Sequence, residues 1–448
     1  MTEGSLPTRR RTACKWTAAL ALAGLMLVAT SAAADTGWSD WPSRPPANLS
    51  NSDIDQARRP AIVAGPPGRL LVVWRDQPLG GGEDGWLYAR TTQDDGETWS
   101  QTETITITTD EIFPPDGLSV EGQFLVTWAQ RAVPGDRVVV YEARKGADRW
   151  TIHPIPGPNS DAPTRPHLTV AGGRLHLIFS ANRSPGAPTD LFHTSRPLTA
   201  TEWPTATVFF THTAFLGGSQ FPAVVAGSDG ATLHLVWEEK QSAVERTILY
   251  MSGTVTASGT VIWSPPVTLS EGITLSVNPA IAAGATGDLH VVWGENADQG
   301  QYVRYVRYDA TEGRWLLPSV RVSDVPMLLN QIDPADLTPH VAVFEGSQTQ
   351  VCITWHGFRE SDPPPGAEEV WVSCSTDGGK TWSTPRNVSR SPDAVSIMPW
   401  TTFDDQGRLH VVWEERIRSE ETDTYYEIFY TRGFNRSVFL PLVLRGWP

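Results

Sequence analysis

One fragment recurs seven times along this chain of 448 residues, and its spacing leaves few folds open. Each copy opens with proline and a short apolar segment, turns at glycine, and runs as an apolar strand to an aromatic residue. The copies begin at Pro60, Pro115, Pro166, Pro222, Pro279, Pro339 and Pro399. Their closing aromatics are Trp74, Trp128, Phe179, Trp237, Trp293, Trp355 and Trp413. Successive aromatics lie about 57 residues apart on average. That period belongs to propellers and solenoids, in which stacked repeats bury faces that no single repeat can bury alone.

Each repeat divides into four short strands separated by turn residues. In the fifth copy the strands are expected at 280–282, 289–294, 302–308 and 320–323. The third strand carries an aromatic in every copy: Tyr88, Tyr141, Phe192, Tyr250, Tyr305, Trp371 and Phe429. A tryptophan precedes the fourth strand in six copies, from Trp99 to Trp382. The seventh copy lacks a fourth strand of its own. Residues 38–50, WSDWPSRPPANLS, match the missing piece, because they read like WSTPRNVS at 382–389 and WSPPVTLS at 263–270. Pairing the two chain ends closes a ring and removes exposed sheet edges. The expected fold is therefore all-β: a seven-bladed β-propeller of four-stranded antiparallel sheets, its last blade closed by the N-terminal strand.

Outside the repeats the ends differ in composition. Arg9, Arg10, Arg11 and Lys15 precede an apolar run over 16–28 and then Ala32-Ala33-Ala34. This is the pattern of a secretory signal over 1–34. The propeller is expected over 35–433 and an apolar, proline-broken tail over 434–448. The chain carries a net charge of −15, and loss of the leader removes four positive charges and Glu3. So acidic a surface argues against nucleic acid and anionic membranes as partners. No later run is long enough to span a bilayer. A secreted or envelope-associated monomer is expected. Cys352 and Cys374 fall on neighbouring predicted strands, and in an exported protein they are candidates for a disulfide, with two buried thiols as the alternative.

Ser375 to Trp382, STDGGKTW, resembles the Asp box of the sialidase (neuraminidase) superfamily, and Thr92 to Trp99, TQDDGETW, is similar to it. The resemblance implies a propeller whose Asp-box turns are structural and face away from the site, so that chemistry is sought where the loops after the second strand and before the first surround the central channel. By the same resemblance, Arg58 in Ala57-Arg58-Arg59-Pro60, Arg183 and Arg359 would hold a substrate carboxylate. Asp84 would be the acid, and Tyr425 or Tyr426 with Glu414 or Glu415 would form the nucleophile pair. The sequence departs from the family around Arg58, where the aromatic and isoleucine of the family motif are missing. An acidic residue also follows the strand-closing aromatic in several repeats, as at Asp76, Glu238, Glu295 and Glu414, which suggests a structural role such as binding a neighbouring blade's backbone. The resulting expectation is a propeller that recognises extracellular glycans or glycoproteins at its funnel face, needing no cofactor or metal. An exo-α-sialidase and a protein-binding envelope scaffold are the alternatives.

Overall fold

Every regular element among the described residues is a β-strand. The computed structural model describes residues 45–51, 56–78, 85–131, 137–147, 149–162, 164–212, 217–242, 245–272, 275–297, 300–323, 337–358, 368–417 and 425–434. The leader and tail expected at the two ends, together with Asp84 and Arg359, lie outside them. No helix among the described residues is long and apolar enough to cross a membrane.

Antiparallel pairing sorts these strands into seven units, each with strands A to D running outward. The first comprises Arg58–Ala64, Leu70–Asp76, Gly85–Thr92 and Glu103–Thr108. Five further units follow over 111–160, 167–210, 218–268, 275–321 and 340–387. In the pairing network the third, fourth and fifth are joined by single parallel bridges, Thr189 to Gly218 and Arg246 to Leu275. The last unit takes Val395–Phe403, Arg408–Ile417 and Tyr425–Phe434 from the end of the chain and Ala47–Asn48 from its beginning.

That latch is built from backbone. Ala47 lies opposite Tyr430 and Asn48 opposite Phe429. The Leu49 N–H donates to the Ile428 carbonyl at 2.7 Å, and the Ile428 N–H donates to Ser50 Oγ at 2.8 Å. Glu427 takes the Ser50 hydroxyl. Each innermost strand touches the next around the molecule, and the seventh touches the first. The hydrophobic core is divided in the same way, with one cluster between each pair of neighbouring units. The cluster between the last and first units joins Val412 and Ile428 to Leu49, Ile62 and Trp74. Trp74, Trp128, Trp237, Trp293, Trp355 and Trp413 are all fully buried, because strand B is covered on both faces by neighbouring sheets.

Two details differ from the sequence reading. In the first, fourth, fifth and seventh units strand A starts ahead of the repeat's proline. In the fifth unit it runs Leu275–Ala283 and passes through the proline by a bulge, since proline has no N–H to give the ladder. The strand-C aromatics, moreover, occupy two positions. Tyr88, Tyr141, Phe192, Trp371 and Phe429 sit directly opposite the strand-B aromatic. Tyr250, Tyr305 and Tyr430 sit one residue along and so project from the other face of the sheet. There each hydroxyl meets the Nδ1 of a strand-B histidine: His234 at 2.8 Å, His290 at 2.8 Å and His410 at 2.9 Å. A tryptophan of the following unit packs edge-on against each tyrosine ring: Trp315 on Tyr250, Trp382 on Tyr305 and Trp99 on Tyr430.

The two Asp-box turns have matching internal bonds. Asp94 Oδ1 accepts the Thr98 N–H at 2.9 Å and Asp377 Oδ1 accepts the Thr381 N–H at 2.9 Å. Gly96 and Gly379 take positive φ and lie where a Cβ would strike Tyr430 Oη and Tyr305 Oη. The turns therefore serve as seats for the neighbouring unit's tyrosine. Cys352 and Cys374 lie opposite one another in the sixth unit and form a disulfide.

Candidate functional site at the channel mouth

The residue before each repeat proline takes on a special place once the innermost strands surround a common channel. These residues are Arg59, Pro114, Arg165, Phe221, Asn278, Thr338 and Met398. The first six line one open cavity of about 370 Å³. Met398 completes the circle, its sulfur 2.8 Å from Arg59 Nη1 and 3.2 Å from Thr338 Oγ1. Arg59, Phe221, Asn278 and Met398 have φ of 54°, 48°, 49° and 54°, and the strand register slips at each of them. Left-handed backbone is costly for residues with a Cβ and persists only where the surroundings impose it. Here the preceding unit supplies part of that hold. Glu414 Oε2 accepts the Arg59 N–H at 2.8 Å, and Glu238 Oε2 accepts the Asn278 N–H at 3.3 Å.

One step deeper, the residues after the prolines line a channel of about 300 Å³ that shares Arg165, Phe221, Asn278 and Thr338 with the mouth. Its polar side carries Asp116, His167, His340 and Trp400. His167 Nδ1 lies 3.2 Å from Asp116 Oδ2. The Trp400 ring is faced by His340 at 4.3 Å and by the Arg165 guanidinium at 5.1 Å. Burial, with Arg165 beside it, pushes His340 down to about 3, so its ring is neutral at ordinary pH.

Three arginines from two units meet at the mouth. Arg75, on strand B of the first unit, donates to the Ile112 carbonyl at 2.8 Å and leaves its Nε buried without a partner. Burial first, and then the like charges of Arg59 and Arg58, bring Arg75 down to about 10. Arg165 is likewise lowered to about 10 by burial and then by Arg59. Both remain cationic near neutral pH. Among the described residues Glu111 is the carboxylate that lines the cavity, and it faces Arg131 at 3.3 Å.

The residues proposed from the family pattern fall elsewhere. Arg58 pairs with Glu414 at 3.3 Å and lies over the Tyr426 ring at 4.4 Å. Glu414 is fully buried. Burial pushes its carboxyl up, but Arg58, Arg59 and the Arg59 amide more than offset this and hold it below the usual range. Tyr425 begins strand C of the seventh unit, opposite Ile417. Arg183 pairs with Asp190 at 2.5 Å with over half of its side chain in solvent. The structure thus brings Arg58, Glu414 and the 425–426 pair to one region and leaves Arg183 apart. Neither Arg58 nor Arg183 lines the mouth cavity.

No protein-family model matches the chain, and none of the curated proteins matches it in sequence. Solved structures do match its shape. A Dyadobacter fermentans protein of unknown function superposes with a TM-score of 0.54 at 12% identity, over 87% of this chain and 98% of that one. The phage phi92 endosialidase gives 0.50 at 10% identity, over 90% of this chain and 70% of that one. The fold shared with them is an all-β propeller. The Ruminococcus gnavus intramolecular trans-sialidase matches more loosely, with a TM-score of 0.47 at 12% identity, over 86% of this chain and 95% of that one. Identities this low speak for fold and not for activity.

Arg75 is a mouth arginine that sequence reading passes over. Its signal is visible in hindsight: arginine stands after the strand-B aromatic in the first copy, where the other copies carry Ala129, Ser180, Glu238, Gly294, His356 and Glu414.

Proposed function

We propose that this chain is an exported, sialidase-like propeller that recognises extracellular glycans at its channel mouth, and that it acts by binding. The observation that carries this reading is the mouth cavity itself. Arg59, Arg75 and Arg165 provide charged donors there, Gln220, Asn278 and Thr338 provide polar groups for sugar hydroxyls, and Phe113 and Phe221 provide apolar faces. Binding is favoured over hydrolysis because Glu414, the candidate partner of a tyrosine nucleophile, is buried and occupied by Arg58 and the Arg59 amide. The leader-like segment over 1–34 supports export, and the glycan-acting propeller with which the chain shares its fold supports the ligand class.

A glycan array probed with the full mature chain tests this reading, with Arg165→Gln alongside and a fluorogenic sialoside as the turnover control. The expected result is a defined set of bound glycans, lost in the variant, and no release of fluorophore. An empty array, or turnover that disappears with Glu414→Gln in a folded protein, would overturn it.

A further inference from the structure

Taking the mouth as the glycan site, we propose that the group it selects carries two negative charges, as a sugar phosphomonoester does, and not the single charge of a carboxylate. Three arginines, Arg59, Arg75 and Arg165, line the cavity, and with Arg58 and Arg131 beside them they outnumber Glu111, Glu414 and Asp116 by two in a protein whose net charge is −15. Glu111 already faces Arg131. The three guanidinium groups feel Glu414, Glu111 and Asp116 at longer range, but none of them has a close ion pair among the described residues. Arg165 has the Trp400 face and no hydrogen-bond or ion-pair partner among the described residues. Arg59 meets the Met398 sulfur. Arg75 spends one nitrogen on a carbonyl and keeps Nε unpaired.

Like charges held together in a partly dehydrated cavity repel, and that cost is relieved by whatever anion enters. A carboxylate brings one charge and leaves one cation uncompensated. A phosphomonoester brings between −1.5 and −2 at neutral pH, with three oxygens to accept from separate guanidinium forks. The forks reach the cavity from two different units, so oxygens pointing in several directions suit them better than one flat carboxylate. The phosphate could belong to a sugar or be free phosphate, and the cavity is large enough for either.

The test is a calorimetric titration of the full mature chain with glucose, glucuronate, glucose 6-phosphate and inorganic phosphate. At pH 7.5 glucose 6-phosphate is expected to bind at least about tenfold more tightly than glucuronate, and glucose more weakly than either. The preference should shrink as pH falls through about 6, where the phosphate regains its second proton. The arginines stay charged throughout; the other titratable groups facing the site are Glu111, Asp116, His167 and His340. Arg165→Gln should abolish the preference and Arg165→Lys should retain part of it, but the pH series on the unaltered protein decides without any variant. Equal affinity for glucuronate and glucose 6-phosphate, or no binding of the phosphate ester, overturns the double-charge inference and leaves the glycan reading to the array. Inorganic phosphate binding as tightly as glucose 6-phosphate, with an empty array, upholds the dianion site and overturns the glycan reading.

Discussion

Glu414 illustrates how a residue that looks catalytic in the sequence becomes a pin in the fold. Its carboxylate is fully buried, salt-bridged to Arg58, and bonded to the amide of a left-handed Arg59. Removing one partner of a buried pair strands the other, at a cost of about 3–5 kcal/mol. Glu414→Ala should therefore lower the denaturation midpoint by an amount of that order. A folded variant of unchanged stability would mean the pin is absent. Asp94 gives a prediction that depends on pH. Bonds from Thr92 and Thr98 hold its carboxyl at about 2, below its ordinary 3.8. A depressed carboxyl stabilises the fold above its unfolded pKa and loses that contribution as pH falls towards the folded value. The melting-temperature gap between the natural protein and Asp94→Asn should be full at pH 5 and should close towards pH 2. A gap that stays constant over that range would contradict the assignment.

The repeated strand-B and strand-C pair shows what was legible in the chain and what was not. The buried tryptophans, the order of strands and the Asp-box turns all follow from local patterning, because the same residues must solve the same packing problem in each copy. The two registers of strand-C aromatics were not legible. Tyr430 follows Phe429 directly, and only the pairing with Val412 shows that Tyr430 takes the place of Tyr250 and Tyr305. The mouth was half legible. Arg59 and Arg165 stand before repeat prolines, but the bulges that aim residues into the channel depend on contacts between units, which no local pattern records. The tyrosine seat makes a prediction at this level. A Cβ at Gly379 would come within 1.9 Å of Tyr305 Oη, at a φ of +83°. Gly379→Ala should destabilise by about 1–3 kcal/mol in urea unfolding, whereas Gly173→Ala, which meets nothing within 4 Å but shares a positive φ of 70°, should cost less. Equal losses would remove the steric account of the seat.

Around the ring as a whole, buried histidines set the acid response. Burial holds His176 down to about 4, and His193, His290 and His356 down to about 3. They stay neutral in the fold, yet accept protons near 6.5 when the chain opens. Below pH 6.5 the unfolded state thus binds more protons, and stability must decline as pH falls from about 6.5 towards 4. Denaturant midpoints that stay level from pH 7.5 to 4.5 would contradict this.

The geometry of the mouth depends on closure of the ring, since Glu414 of the last unit positions Arg59 of the first. Closure rests on one short strand, Ala47–Asn48, with Leu49 and Ser50 beside it. Hydrogen exchange followed by mass spectrometry measures this directly in the peptide covering Tyr425–Phe434. In the intact chain that peptide should exchange as slowly as strand C of the fourth unit, Arg246–Val255. Replacing residues 45–51 with glycine and serine should speed its exchange by orders of magnitude. Fast exchange in the intact chain, or no change on replacement, would mean that the ends of the chain do not latch.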